Sequence, residues 1–124
     1  MKNRTNVQDL LVDTAVNAYT AKVTFTPEAG TIERVMVSWG ANPDNAGFVR
    51  ASLKDSSGDY IVQLQSIHNI RSREVQYEKD GIPVNFQGMK PVTFEVIGTE
   101  VFNTNFPCEI NLIYKQEQDK QPYC

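Results

Sequence analysis

The sequence predicts an all-β fold: an antiparallel β-sandwich, tilted toward a jelly roll rather than an immunoglobulin-like topology. Three observations carry this. Short runs alternate apolar and polar residues with a period of two. Gly, Pro, Asn and Asp clusters separate the runs. No stretch shows a sustained helical period, and the Cys…Trp…Cys spacing of antibody domains is absent.

The run at 31–40, TIERVMVSWG, is the clearest strand. Val35, Val37 and Trp39 fall on one side and Arg34, Met36 and Ser38 on the other, with Gly30 and Gly40 at the ends. Trp39 is the only tryptophan and is expected at the centre of a two-sheet core. Before it, residues 19–26 alternate Tyr19, Ala21, Val23 and Phe25 against polar neighbours, and Pro27 stops the run. Residues 1–16 read as an N-terminal arm or a first short strand.

After Gly40, the stretch ANPDNAG is dense turn chemistry. A hairpin follows. Val49, Ala51 and Leu53 are expected inward on its first strand, opposite Phe48, Arg50, Ser52 and Lys54. Tyr60, Val62 and Leu64 are expected inward on its return strand. Residues 66–73 are irregular, and 74–78 read as a short strand with Val75 and Tyr77 on one side. Ile82, Val84 and Phe86 alternate beside Pro83, which makes this an edge strand or an extended loop. Val92, Phe94 and Val96 form a half-buried strand; 98–107 read as a loop; Cys108, Ile110, Leu112 and Tyr114 share the face of a last strand. The sandwich is thus expected over 17–115, with a polar tail at 116–124.

The 124 residues suit one domain, large enough to fold without a disulfide or metal. A net charge of −3 argues against a nucleic-acid surface. The first residues lack the apolar core of a signal peptide, and no apolar run is long enough to span a bilayer. The expectation is a protein without nucleic-acid or membrane partners. Cys108 and Cys124 are expected reduced, with Cys124 a free thiol in the tail.

Chemistry-bearing patterns are sparse. His68 is the only histidine, and no nucleophile signature accompanies it. One histidine and two distant cysteines give too few zinc ligands. Asp55, Ser57 and Asp59 could offer oxygen ligands to calcium, but read first as a hydrated hairpin turn. Arg71, Arg73 and Lys79 are diluted by Glu74, Glu78 and Asp80, a poor phosphate patch. No carboxylate pair can be assigned as acid and base, so no enzyme activity and no cofactor are expected. Trp39 and Tyr77 could stack on sugar rings, which makes a carbohydrate-binding module the alternative reading.

The outward-facing apolar residues point to an interface. Met36, Ile97 and Ile113 lie opposite the expected core, and Val101, Phe102 and Phe106 share one loop. The two phenylalanines either meet a partner or fold back to plug the open end of the core. In size, in strand after strand with Asn- and Asp-rich turns, and in the arm 1–13, the chain resembles the small accessory virion proteins of tailed phages. Those include capsid decoration, head-fibre and tail modules. The resemblance implies a structural assembly module in the virion or the producing cell's cytoplasm. Its partners would be copies of itself or other structural proteins, gripped by the arm or the loop 98–107.

Overall fold

A computed structural model describes residues 5–16, 18–71 and 81–115. Among them are eight strands: β1 (Thr5–Val12), β2 (Thr20–Phe25), β3 (Thr31–Trp39), β4 (Val49–Lys54), β5 (Tyr60–Ser66), β6 (Ile82–Gln87), β7 (Val92–Gly98) and β8 (Phe106–Tyr114). One helical turn, α1 (Ile67–Ile70), joins β5 to β6. The segment read as an arm or a strand is the strand β1. The expected strand at 74–78 and the polar tail lie outside the described residues.

The strands form two antiparallel four-stranded sheets, in the orders β1-β8-β3-β6 and β2-β7-β4-β5. The pairs are nested: first with last, second with seventh, third with sixth, and the central hairpin. Among the described strands only β4–β5 is a local pair; every other connection between consecutive described strands crosses between sheets. Val35 and Val37 from β3, Ile110, Leu112 and Tyr114 from β8, Ala51 and Leu53 from β4, and Phe94 and Val96 from β7 fill the space between them. These are the alternating residues the period-2 pattern placed inward.

The alternation fails in β5. Its pairing with β4 shifts register twice, between Ala51 and Leu53 and between Leu53 and Lys54. Each bulge rotates the strand. Val62 is buried as expected, but Tyr60 and Leu64 are exposed, while Ile61 packs on the core.

The phenylalanine loop is shorter than the sequence suggested. Phe106 and Pro107 belong to β8, opposite Val12 and Leu11 of β1. Pro107 lies beyond the last residue paired with β3, Cys108 opposite Trp39, so it costs no bond on that side. Phe102 and Phe106 are both buried and stack 5.7 Å apart, closing the end of the core. The plug reading of these two residues holds, and neither is part of the surface.

Met36 and Ile113 do point away from the inter-sheet core, yet they too are buried. They sit diagonally on the two central strands of the first sheet, where neighbours on both sides shield them. Gly81 adds cover to Met36. Its φ of +70° is a left-handed conformation, and a Cβ there would sit 2.2 Å from the Val35 carbonyl oxygen and 2.8 Å from the Met36 Cβ. Only glycine lets the chain enter β6 against β3 this closely.

Candidate functional site at the loop end

Three connections meet at one end of the sandwich: 13–19 between β1 and β2, 40–48 between β3 and β4, and 99–105 between β7 and β8. Hydrogen bonds lace them together. The Phe102 and Gly98 amides donate to the carbonyls of Ala18 and Tyr19, at 2.6 and 2.7 Å. The Thr99 and Asn103 amides donate to the carbonyls of Phe48 and Asp44, both at 2.9 Å. The Phe48 amide donates to the Thr99 hydroxyl at 2.8 Å, and the Asn45 side-chain amide to the Glu100 carbonyl. Asn105 Oδ1 accepts from both the amide and the hydroxyl of Thr14. The Asn and Asp residues that marked turns in the sequence are the groups that tie these loops to one another.

This laced end presents four large apolar residues to solvent. Val16 is 75% exposed, Phe48 71%, Val101 58% and Tyr19 51%. Of the interface residues the sequence suggested, Val101 is exposed here and Ile97 is half-buried in β7, whereas Met36, Phe102, Phe106 and Ile113 are buried. Val16, Tyr19 and Phe48 were missed. For Phe48 the signal was present: it is apolar, yet shares its face with Arg50, Ser52 and Lys54. Tyr19 was read as the first residue of the alternating run 19–26, but the paired strand starts only at Thr20.

Trp39 stands at the corner of the same end and is half-buried, not central. It is the last residue of β3, so its ring reaches past the middle of the sandwich. His68 of α1 and Phe106 meet it edge-on, with ring centres 5.4 and 6.0 Å away. The Arg71 guanidinium lies over the indole, 4.7 Å from the ring centre, a cation–π contact. Nε1 is buried with no hydrogen-bond partner among the described residues. A sugar-stacking platform needs an open ring face, and Arg71 covers one. The other candidate sugar residue, Tyr77, lies outside the described residues. The His68 amide donates to Ser66 Oγ at the start of α1.

An open groove of about 700 Å³ crosses the outer side of β1, β8 and β3 near this end, lined by Asp9, Leu11, Ser38, Trp39, Pro107 and Glu109 among others. Asp9 and Glu109 face each other across the β1–β8 pair. Beside them Cys108 is buried, and its thiol pKa is pushed up to about 12, by burial first and then by the charges of Asp9 and Glu109. Such a thiol is inert as a nucleophile. In the β4–β5 turn, Asp55 Oδ1 accepts the amides of Ser57 and Asp59, at 2.9 and 3.0 Å, the bonding of a closed Asx turn. Among the described residues no group of three His, Cys, Asp or Glu could hold a metal ion. Nor is any described helix long and apolar enough to cross a membrane.

No family model and no curated protein matches the chain. Among solved structures, the mitogen derived from Yersinia pseudotuberculosis aligns over 96% of this chain and 92% of its own, at 5% identity and a TM-score of 0.47. A Burkholderia pseudomallei antigen and type I fimbria protein aligns over 90% and 99%, at 16% identity and a TM-score of 0.34. The virus-like particle of the extra small virus of the giant freshwater prawn Macrobrachium rosenbergii aligns over 95% and 82%, at 14% identity and a TM-score of 0.27. All three likenesses are weak.

Proposed function

We propose that this chain is a structural module of a larger protein assembly, of the kind tailed-phage virions carry as accessory proteins, and that it binds a neighbouring copy through its loop end. One observation carries the reading: Val16, Tyr19, Phe48 and Val101 are exposed together on loops that hydrogen bonds already hold in place. Exposed apolar clusters mark interaction surfaces. Loops ordered beforehand lose little entropy on binding. Fully burying a valine or phenylalanine side chain stabilises by about 1.5–3 kcal/mol, so Val16, Phe48 and Val101 with Tyr19 can hold a contact without any charged pair. With this reading goes a jelly-roll assignment of the sandwich, supported by the nested strand pairs and the single local hairpin.

The test is the double substitution Phe48→Ser with Val101→Ser. The native chain should run as an oligomer in size exclusion coupled to light scattering. The variant should run as a smaller species with the melting temperature of the dissociated protein unchanged. An oligomer of unchanged size after both substitutions would remove the loop end from the contact.

A further inference from the structure

We propose that β1 is a pairing edge between two copies of this chain. In this arrangement two Thr5–Val12 strands join antiparallel across a two-fold axis and continue the first sheet from one sandwich into the other. This contact is separate from the loop end and does not depend on it.

The inference rests on a comparison of the four edge strands. An edge strand offers a row of unpaired N–H and C=O groups, and soluble proteins blunt such rows with lysine, proline, bulges or short strands. Three of the four edges here are blunted. In β6, Pro83 removes a donor and the pairing with β3 shifts between Ile32 and Arg34. In β5, two register shifts break the line against β4. In β2, exposed Lys22 sits in the middle of a six-residue strand.

β1 has no lysine, no proline and no bulge, and its one charged residue is Asp9. It runs eight residues, TNVQDLLV. Its register with β8 is unbroken from Thr5 opposite Ile113 to Val12 opposite Phe106. Among the described residues, β8 is its only strand partner. It also carries Val7 and Leu11, 46% and 44% exposed, as apolar side chains at the edge itself.

The chemistry of the occupant follows from the edge. A row of alternating donors and acceptors is complemented only by another extended backbone. Under a two-fold axis an antiparallel edge complements itself, because each copy supplies the donors the other lacks. The strand's one charge, Asp9, does not prevent this. Repulsion disfavours the register that sets the two Asp9 residues face to face, so the axis passes beside Gln8 or Leu10 instead. Val7 and Leu11 then gain cover from side chains of the added strand.

The test uses the full chain in sedimentation over a wide concentration range, with amide deuterium exchange read on β1. The native protein should dimerise, and the β1 amides that do not bond to β8 should become protected as the dimer forms. Val7→Lys with Leu11→Lys should raise the dimer dissociation constant at least ten-fold, while Phe48→Ser with Val101→Ser leaves the β1 protection in place. The exchange result on native protein decides even if the lysine variant fails to fold. Three results would overturn the proposal: a native monomer at every concentration, β1 amides that exchange freely in the dimer, or a dimer indifferent to the lysines. Protection gained only on adding a foreign extended peptide would overturn the second-copy assignment as well.

Discussion

Cys108 shows how one residue's surroundings govern its chemistry. The thiol lies inside the end of β8 with two carboxylates nearby, and its pKa rises from 9.0 to about 12. The unfolded chain therefore releases this proton at lower pH than the folded one. Stability from this group is complete below pH 9 and falls as pH rises from about 9 toward 12. The slope should approach about 1.4 kcal/mol per pH unit. Urea unfolding at a series of alkaline pH values should show the loss in the native protein and a shallower one in Cys108→Ala. Phe102 makes the complementary point. It was a candidate for the surface because its neighbours read as a loop, yet it stacks on Phe106 inside the fold. Phe102→Ala should cost about 3–5 kcal/mol, read as a lower urea midpoint, and leave the oligomeric state alone.

At the level of elements, register decides what a residue meets. Asp9 was one letter in an ambiguous segment until β1 paired with β8 and set it opposite Glu109. Like charges directly opposite each other destabilise a sheet by about 0.2–1 kcal/mol, so Asp9→Asn should raise the melting temperature slightly. Salt should shrink that gain. Gly81 is the counterpart at β6. Any side chain there must leave a left-handed backbone or push into the Val35 carbonyl. Gly81→Ala should lower the urea midpoint by an amount corresponding to about 1–3 kcal/mol. β5 is the element where sequence reading went wrong, because two bulges against β4 changed which residues face inward. A period-2 pattern assumes an unbroken ladder, and nothing in Tyr60, Val62 and Leu64 announces the slip.

At the scale of the molecule, the first described strand pairs with the last, and among the described residues the sole local pair is the central hairpin. Folding must therefore close long loops before most contacts form. Such topologies fold in roughly milliseconds to seconds, and stopped-flow refolding should fall in that range, with one cooperative equilibrium transition. The nesting also explains the loop end. Every connection there leaves one sheet for the other, so residues distant in sequence, such as Asp44 and Asn103 or Tyr19 and Gly98, become hydrogen-bonded neighbours. Alternate inward residues bury themselves whatever the strand order. A surface built from three loops exists only once that order is settled.

The sequence by itself determined the all-β sandwich, the central strand at β3, and the inward faces of β4, β7 and β8; for β6 it left an edge strand or an extended loop. Each of these is written in local terms, as alternation, a proline or a turn. Tertiary structure alone decided three other things. Met36 and Ile113 became buried because their strands are central. Trp39 moved from the expected core to a corner under Arg71 and His68 because β3 ends there. The loops that carry Val16, Tyr19, Phe48 and Val101 came to one end because crossing connections converge there. The physical reason is the same in each case. Alternation reports which side of a strand is apolar, while exposure depends on what lies beside that strand, and neighbours here come from far along the chain.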